Sequence, residues 1–145
     1  MTPSSTPQLL VLDTNVVLDW LVFGDLGCHA LVDALTRGRV RWAATLAMRE
    51  ELDHVLTRGS LDAWSPDLPA LWMHWDHWAS IVPAPSLLPP GLPRCTDPDD
   101  QKFIDLGVHL RASALLSRDR AVLRCARGAR ALGLTIQTPA AWAQR

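Results

Sequence analysis

The short apolar run 9–12, followed at once by the turn-forming residues Asp13-Thr14-Asn15, constrains the fold of this chain more than any other feature. A continuous apolar run of this length, ended by a turn signal, is typical of a strand that is buried on both faces in a parallel sheet. Asp13 then stands at the carboxyl end of that strand, where open α/β sheets bind their ligands. Asp, Thr and Asn also begin turns and cap helices, so this stretch alone leaves both interpretations of Asp13 open.

Apolar runs alternate with amphipathic segments along the rest of the chain. Further strands are predicted at 40–44, 80–83, 114–116 and 134–138, and helices at 16–22, 28–37, 46–58, 66–79, 97–111, 120–127 and 139–144. This alternation predicts an α/β fold in which helices cover both faces of a parallel sheet. We interpret residues 1–8 as a flexible head and residues 9–145 as a single domain, because the Pro-rich loop at 84–94 is too short to separate two domains.

Composition excludes several classes of protein. The formal net charge of −1 provides no global basic field, so a polyanion would have to be held by a local patch or by a metal ion. Three widely spaced cysteines argue against a disulfide framework and against a paired-cysteine metal or redox site. The first seven residues lack the features of a signal peptide, and no apolar run approaches the roughly 18 residues of a membrane span. We therefore expect a soluble cytoplasmic protein that does not associate with a membrane.

Acidic residues recur where strands end and where helices begin. They are Asp13 and Asp119 after two predicted strands, Glu51 on the second turn of a predicted helix, and Asp97, Asp99 and Asp100 at the start of another. In a doubly wound sheet these positions meet at one edge, where the carboxylates would repel one another. A divalent cation neutralises such a cluster, and carboxylate ligands suit Mg²⁺ or Mn²⁺.

Four short motifs, in this order, are similar to those of PIN-domain proteins that form the toxin half of bacterial toxin–antitoxin pairs. They are Leu12-Asp13-Thr14-Asn15-Val16, Glu51-Leu52-x-x-Val55-Leu56, Asp97-Pro98-Asp99-Asp100-Gln101-Lys102-Phe103-Ile104 and Leu116-Ser117-Arg118-Asp119. The resemblance extends from about residue 9 to 138. It implies a three-layer α/β/α sandwich with a central parallel sheet of four to five strands.

The resemblance also implies roles for individual residues. Asp13, Glu51, Asp100 and Asp119 would be the catalytic acids that bind the metal, and Asn15 and Ser117 would orient the carboxylates or the attacking water. We interpret Asp97 as the cap of its helix and as a supporting acid. The implied activity is that of a ribonuclease, dependent on Mg²⁺ or Mn²⁺, in which metal-activated water cleaves RNA. A homodimer inhibited by a cognate antitoxin is implied as well.

Several alternatives remain at this point. Arg118 and Arg120 flank Asp119 and are candidates for phosphate contacts, although a solvated surface is the simpler interpretation. The Trp-rich segment 64–78 is either core, a dimer or antitoxin surface, or a base-stacking surface. The competing functions are a non-catalytic PIN-like module that binds RNA or a protein, and a DNA nuclease.

Overall fold

A parallel sheet forms the centre of the fold in a computed structural model that describes residues 6–144. Within these residues five strands are present: β1 (Gln8–Leu12), β2 (Val40–Ala44), β3 (Ala79–Ile81), β4 (Ala114–Leu116) and β5 (Thr135–Gln137). They lie in the order β3-β2-β1-β4-β5, and every neighbouring pair is parallel. The strand order reverses between β1 and β4, which places their carboxyl ends side by side at the point where such sheets bind ligands.

Helices flank this sheet, so the predicted three-layer α/β/α sandwich is confirmed. The helices are α1 (Thr14–Leu21), α2 (His29–Thr36), α3 (Leu46–Thr57), α4 (Leu68–Trp78), α5 (Gln101–His109), α6 (Arg120–Leu123), α7 (Ala126–Ala131) and α8 (Pro139–Ala143). Local capping explains several starts. For example, the Thr45 Oγ1 accepts a hydrogen bond from the Met48 N–H, and the Asp67 Oδ1 accepts one from the Ala70 N–H.

Several predicted boundaries differ from the structure by one or more residues. The first strand begins at Gln8, one residue before the predicted start, so Gln8 belongs to the sheet and not to the predicted head. Residues 1–5 of the predicted head lie outside the described residues. The prediction of one helix over 120–127 is wrong, because the chain tightens at Cys125, whose N–H bonds to the Val122 carbonyl, and separates α6 from α7. The helix predicted to reach 111 ends at His109. There Arg111 takes a left-handed φ of 53° and the Ala112 N–H returns to the Gly107 carbonyl.

The Trp-rich segment divides between core and surface. Trp75 is buried in an edge-to-face contact with Trp42 of β2, with ring centroids 4.7 Å apart. Trp64 lies outside the core, 59% exposed, and its ring contacts Phe23. In the described part of the chain, no single helix is long and apolar enough to cross a membrane.

Candidate metal centre

Asp13 is held between β1 and β4. Its backbone N–H donates to the Leu116 carbonyl of β4 at 3.0 Å, and its Oδ2 accepts a 2.6 Å hydrogen bond from the Ser117 hydroxyl. The residue occupies the cap position of α1, but its side chain makes no capping hydrogen bond. The residue is only 3% exposed. The side chain is therefore a buried carboxylate aimed at the strand ends, and the capping interpretation of it does not hold.

Ser117 joins Asp13 to Asp119. While its hydroxyl donates to Asp13, the same oxygen accepts the Asp119 N–H at 3.0 Å. One oxygen of Asp119, Oδ1, caps α6 by accepting the Ala121 N–H at 2.8 Å. Asp119 thus starts a helix and also contributes its carboxylate to the strand-end edge.

Asp100 enters from the short 3₁₀ turn Pro98–Asp100 that leads into α5. Asp97 caps this turn as the sequence predicts, since its Oδ1 accepts the Asp99 N–H at 3.0 Å. Asp100 itself is 9% exposed. The cap fixes the direction of the turn and leaves Asp100, rather than Asp97, as the buried acid of this segment.

Asp13, Asp100 and Asp119 form one carboxylate group, each with an oxygen within 4.8 Å of the other two. Burial raises the pKa of Asp13 from 3.8 to about 6; the hydrogen bonds from Ser117 and the Thr14 N–H oppose this rise, and the charge of Asp119 adds to it. Burial, followed by the charge of Asp13, raises the pKa of Asp100 to about 7. The buried charges therefore lack compensation within the protein.

These three residues fit a divalent cation. Two oxygens that bind one Mg²⁺ lie at most about 4.2 Å apart. The observed separations require only small side-chain adjustments to reach that limit. An all-carboxylate ligand set favours a hard cation such as Mg²⁺ or Mn²⁺. A bound ion would compensate the buried negative charges, whose burial and mutual repulsion raise the pKa values.

Glu51 stands beside this group rather than within it. Its Oε1 accepts a 2.6 Å hydrogen bond from the Lys102 ammonium, and its Oε2 accepts a short one from the Thr14 hydroxyl. Sequence reasoning placed Glu51 at this edge but missed both partners. The sequence does contain a signal for Lys102, because it is the single lysine of the chain and follows Asp100 by two positions.

The other predicted site residues take different positions. The Asn15 Oδ1 accepts the Arg118 N–H at 3.3 Å, which ties the start of α1 to the end of β4. The Arg118 guanidinium pairs with the buried carboxylate of Asp19, with Nη2 and Oδ1 2.7 Å apart. Arg120 is exposed. The structure does not bring Arg118 or Arg120 into the lining of the cleft that holds the carboxylates.

That cleft is open and has a volume of about 480 Å³. Its lining combines the acidic residues with one side of α1 and one side of α3: Asp13, Thr14, Asn15, Leu18, Glu51, His54, Val55, Arg58, Asp97, Asp99, Asp100 and Asp119. The carboxylates are therefore accessible from solvent through the cleft, although Asp13 and Asp100 are themselves buried.

The family model for the PIN domain matches residues 9–121. The chain belongs to the PIN domain family. The match runs from β1 to the first turn of α6, so it includes Asp13, Glu51, Asp100 and Asp119 of this PIN domain. No curated protein sequence matches the chain at a significant level. PIN domains are usually metal-dependent nucleases, and the three-carboxylate group is a site that fits such a metal.

Proposed function

We propose that this PIN domain is an endoribonuclease that depends on Mg²⁺ or Mn²⁺ and hydrolyses phosphodiester bonds of RNA. The observation that carries the proposal is the group of Asp13, Asp100 and Asp119 in an open cleft at the switch point of the sheet. A bound divalent cation would supply a polarised phosphate and a water of lowered pKa for attack on phosphorus.

The protein's own groups prepare this site. Ser117 fixes one oxygen of Asp13 and, through the Asp119 N–H, the start of α6, so two of the acids cannot move independently. Lys102 and Thr14 fix both oxygens of Glu51 at the cleft wall. Glu51 serves as the fourth acid, and its ion pair with Lys102 limits the negative charge that a phosphate meets there.

The experiment is cleavage of mixed RNA and, in parallel, mixed single-stranded DNA by the purified chain with Mn²⁺ or Mg²⁺. We expect RNA cleavage that EDTA and Asp13→Asn both abolish. Asp76→Asn is the matched control, because Asp76 is exposed on α4 and outside the cleft lining. Activity that persists with EDTA and in Asp13→Asn would refute the metal site. Cleavage of DNA alone would identify a DNA nuclease, and binding of RNA with no cleavage would favour the non-catalytic module.

We also propose that the chain is a homodimeric toxin controlled by a cognate antitoxin. Support comes from the four family-like motifs and from large apolar side chains exposed at Trp64 and, 65% exposed, at Met73 of α4. Light scattering tests the dimer. Growth arrest on expression, relieved by co-expression of the protein encoded beside it, tests the toxin role. Growth that is unaffected by an active ribonuclease would refute that role.

A further inference from the structure

One side of α3 continues the cleft away from the carboxylates. Glu51, His54, Val55 and Arg58 all line it, and their spacing of three, four and seven residues puts them on one face of the helix. Leu18 of α1 also lines the cleft and is half-buried, as is Val55. The cleft therefore carries a strip of cationic and apolar side chains in addition to its acids.

Cations are scarce in this cleft. Lys102 and Arg118 lie outside its lining, and both are already engaged, the Lys102 ammonium by Glu51 and the Arg118 guanidinium by Asp19. Among the described lining residues, the cationic or cation-forming side chains are those of His54 and Arg58. Neither side chain has a hydrogen-bond or ion-pair partner within residues 6–144. All the other charged side chains of the described lining are acids, so a polyanion that enters the cleft can pair only with these two.

We propose that Arg58, assisted by His54, forms a subsite for a phosphate of the bound RNA strand that neighbours the scissile phosphodiester. Leu18 and Val55 would contact the ribose or base beside it. This inference rests on the proposed ribonuclease function and adds a phosphate position to the same cleft. In this proposal Arg58 binds the neighbouring phosphate and does not contact the scissile phosphodiester.

The length of α3 separates this subsite from the carboxylates. The Cα of Arg58 lies seven residues beyond Glu51, which corresponds to about 10 Å along the helix axis. Within residues 6–144 the Arg58 guanidinium makes no ion pair with any of the cleft acids, so it is free to contact a phosphate other than the one held at the carboxylate group. The planar guanidinium of Arg58 can bind two phosphate oxygens at once. A Lys in its place would keep the positive charge but lose this two-point geometry.

A purely structural role is the main competitor. Arg58 is the C-cap residue of α3, where a positive charge stabilises the negative end of the helix dipole. Arg37 holds the same position at the end of α2 and lies outside the cleft lining. Arg37→Gln is therefore the control, because it removes a helix-end charge without removing a cleft cation. It also breaks the ion pair of Arg37 with Asp33, but that pair is exposed and contributes little to stability.

The decisive test measures binding of a short, fluorescently labelled, single-stranded RNA of mixed sequence. Anisotropy is recorded over a range of KCl concentrations with Mg²⁺, in an Asp119→Asn background that prevents cleavage. We expect Arg58→Gln to weaken binding about tenfold. It should also lower the magnitude of the slope of log K against log salt by about 0.7, the value for one phosphate contact on a single strand.

Control variants separate charge from stability. Arg58→Lys should retain the wild-type salt slope, His54→Gln should weaken binding several-fold, and Arg37→Gln should leave both affinity and slope unchanged. Arg58→Gln and Arg37→Gln should lower the melting temperature by similar small amounts. An Arg58→Gln slope and affinity equal to those of Arg37→Gln would overturn the subsite.

Cleavage kinetics distinguish failure of the subsite from failure of the function. In the otherwise unaltered chain, Arg58→Gln should raise KM with kcat within about twofold, as expected for lost uniform binding. RNA cleavage with an unchanged KM would overturn the subsite and leave the ribonuclease intact. Arg58-dependent RNA binding without cleavage would support the subsite and refute the ribonuclease. A chain that binds no RNA even at low salt would overturn the subsite.

Discussion

Replacing Asp13 by Asn should make the metal-free protein more stable at pH 8. The folded protein holds this carboxylate at a pKa of about 6, whereas its ordinary value is 3.8. Keeping it ionised in the folded state at pH 8 therefore costs about 3 kcal/mol. Asn is uncharged, and its Oδ1 can still accept the Ser117 hydroxyl. Because the fit of the amide is imperfect, we expect a gain of about 1–2 kcal/mol rather than the full amount.

The sign of the pH dependence follows from the raised pKa. A carboxyl group that binds its proton more tightly when folded stabilises the protein fully below pH 3.8, and this contribution is lost as the pH rises through about 6. Asp100, whose pKa is raised to about 7, acts in the same direction. The metal-free wild type should therefore lose stability as the pH rises from about 4 to 7. Relative to Asp13→Asn, which retains Asp100, the loss should fall mainly between about pH 4 and pH 6, and the two proteins should converge in acid.

Metal should reverse the order of the two proteins. A cation at a hundred times its Kd stabilises the wild type by about 2.7 kcal/mol. For a chain of this length that corresponds to a rise of about 8 °C in Tm, since 1 kcal/mol shifts Tm by about 3 °C. Asp13→Asn should show a Tm about 3–6 °C above the wild type in EDTA at pH 8 and little response to Mn²⁺.

Thermal denaturation by circular dichroism in EDTA and in millimolar Mn²⁺, at pH 5 and pH 8, measures all three effects. Asp76→Asn controls for the loss of one negative charge on the surface, and it should follow the wild type in every condition. A Tm below that of the wild type for metal-free Asp13→Asn at pH 8 would refute the reasoning, because it would show that the folded protein compensates the charge of the Asp13 carboxylate. An equal Mn²⁺ response in both proteins would place the metal elsewhere.

Three further substitutions test the contacts around the site. Ser117→Ala should weaken Mn²⁺ binding to the Asp13 group about 10- to 100-fold in calorimetry, because it removes the donor that orients the carboxylate; unchanged affinity would refute this. Lys102→Gln should lower kcat at saturating Mn²⁺ while the Mn²⁺-induced rise in Tm persists, because Glu51 loses its ion pair but the three-carboxylate group does not change; a lost Tm response would instead make Glu51 part of the metal group. Arg118→Gln should lower the free energy of unfolding in urea by about 2 kcal/mol, because it leaves a buried carboxylate unpaired on α1; weaker RNA binding at unchanged stability would instead support the predicted phosphate contact.

Local sequence signals are sufficient to predict the parallel sheet, the alternation of strands and helices along the chain, and the acids at the strand ends. Apolar runs such as 114–116 and caps such as Thr45 and Asp97 depend only on neighbouring residues, so they can be predicted from a short stretch of sequence. The same information predicted that Asp13 and Asp119 would meet, because strands of a parallel sheet bring their carboxyl ends to one edge, and that Asp100 would join them, because helix starts lie at that edge too.

The partners of these side chains depend instead on long-range packing. The contacts of Ser117 with Asp13 and of Lys102 with Glu51 join residues 104 and 51 positions apart, and no local pattern encodes such distances. In the sequence Arg58 is an ordinary helix-end arginine. It lines the cleft because α3 packs beside the strand ends. Side-chain partners depend on how helices lie on the sheet, which the periodicity of a single segment does not specify.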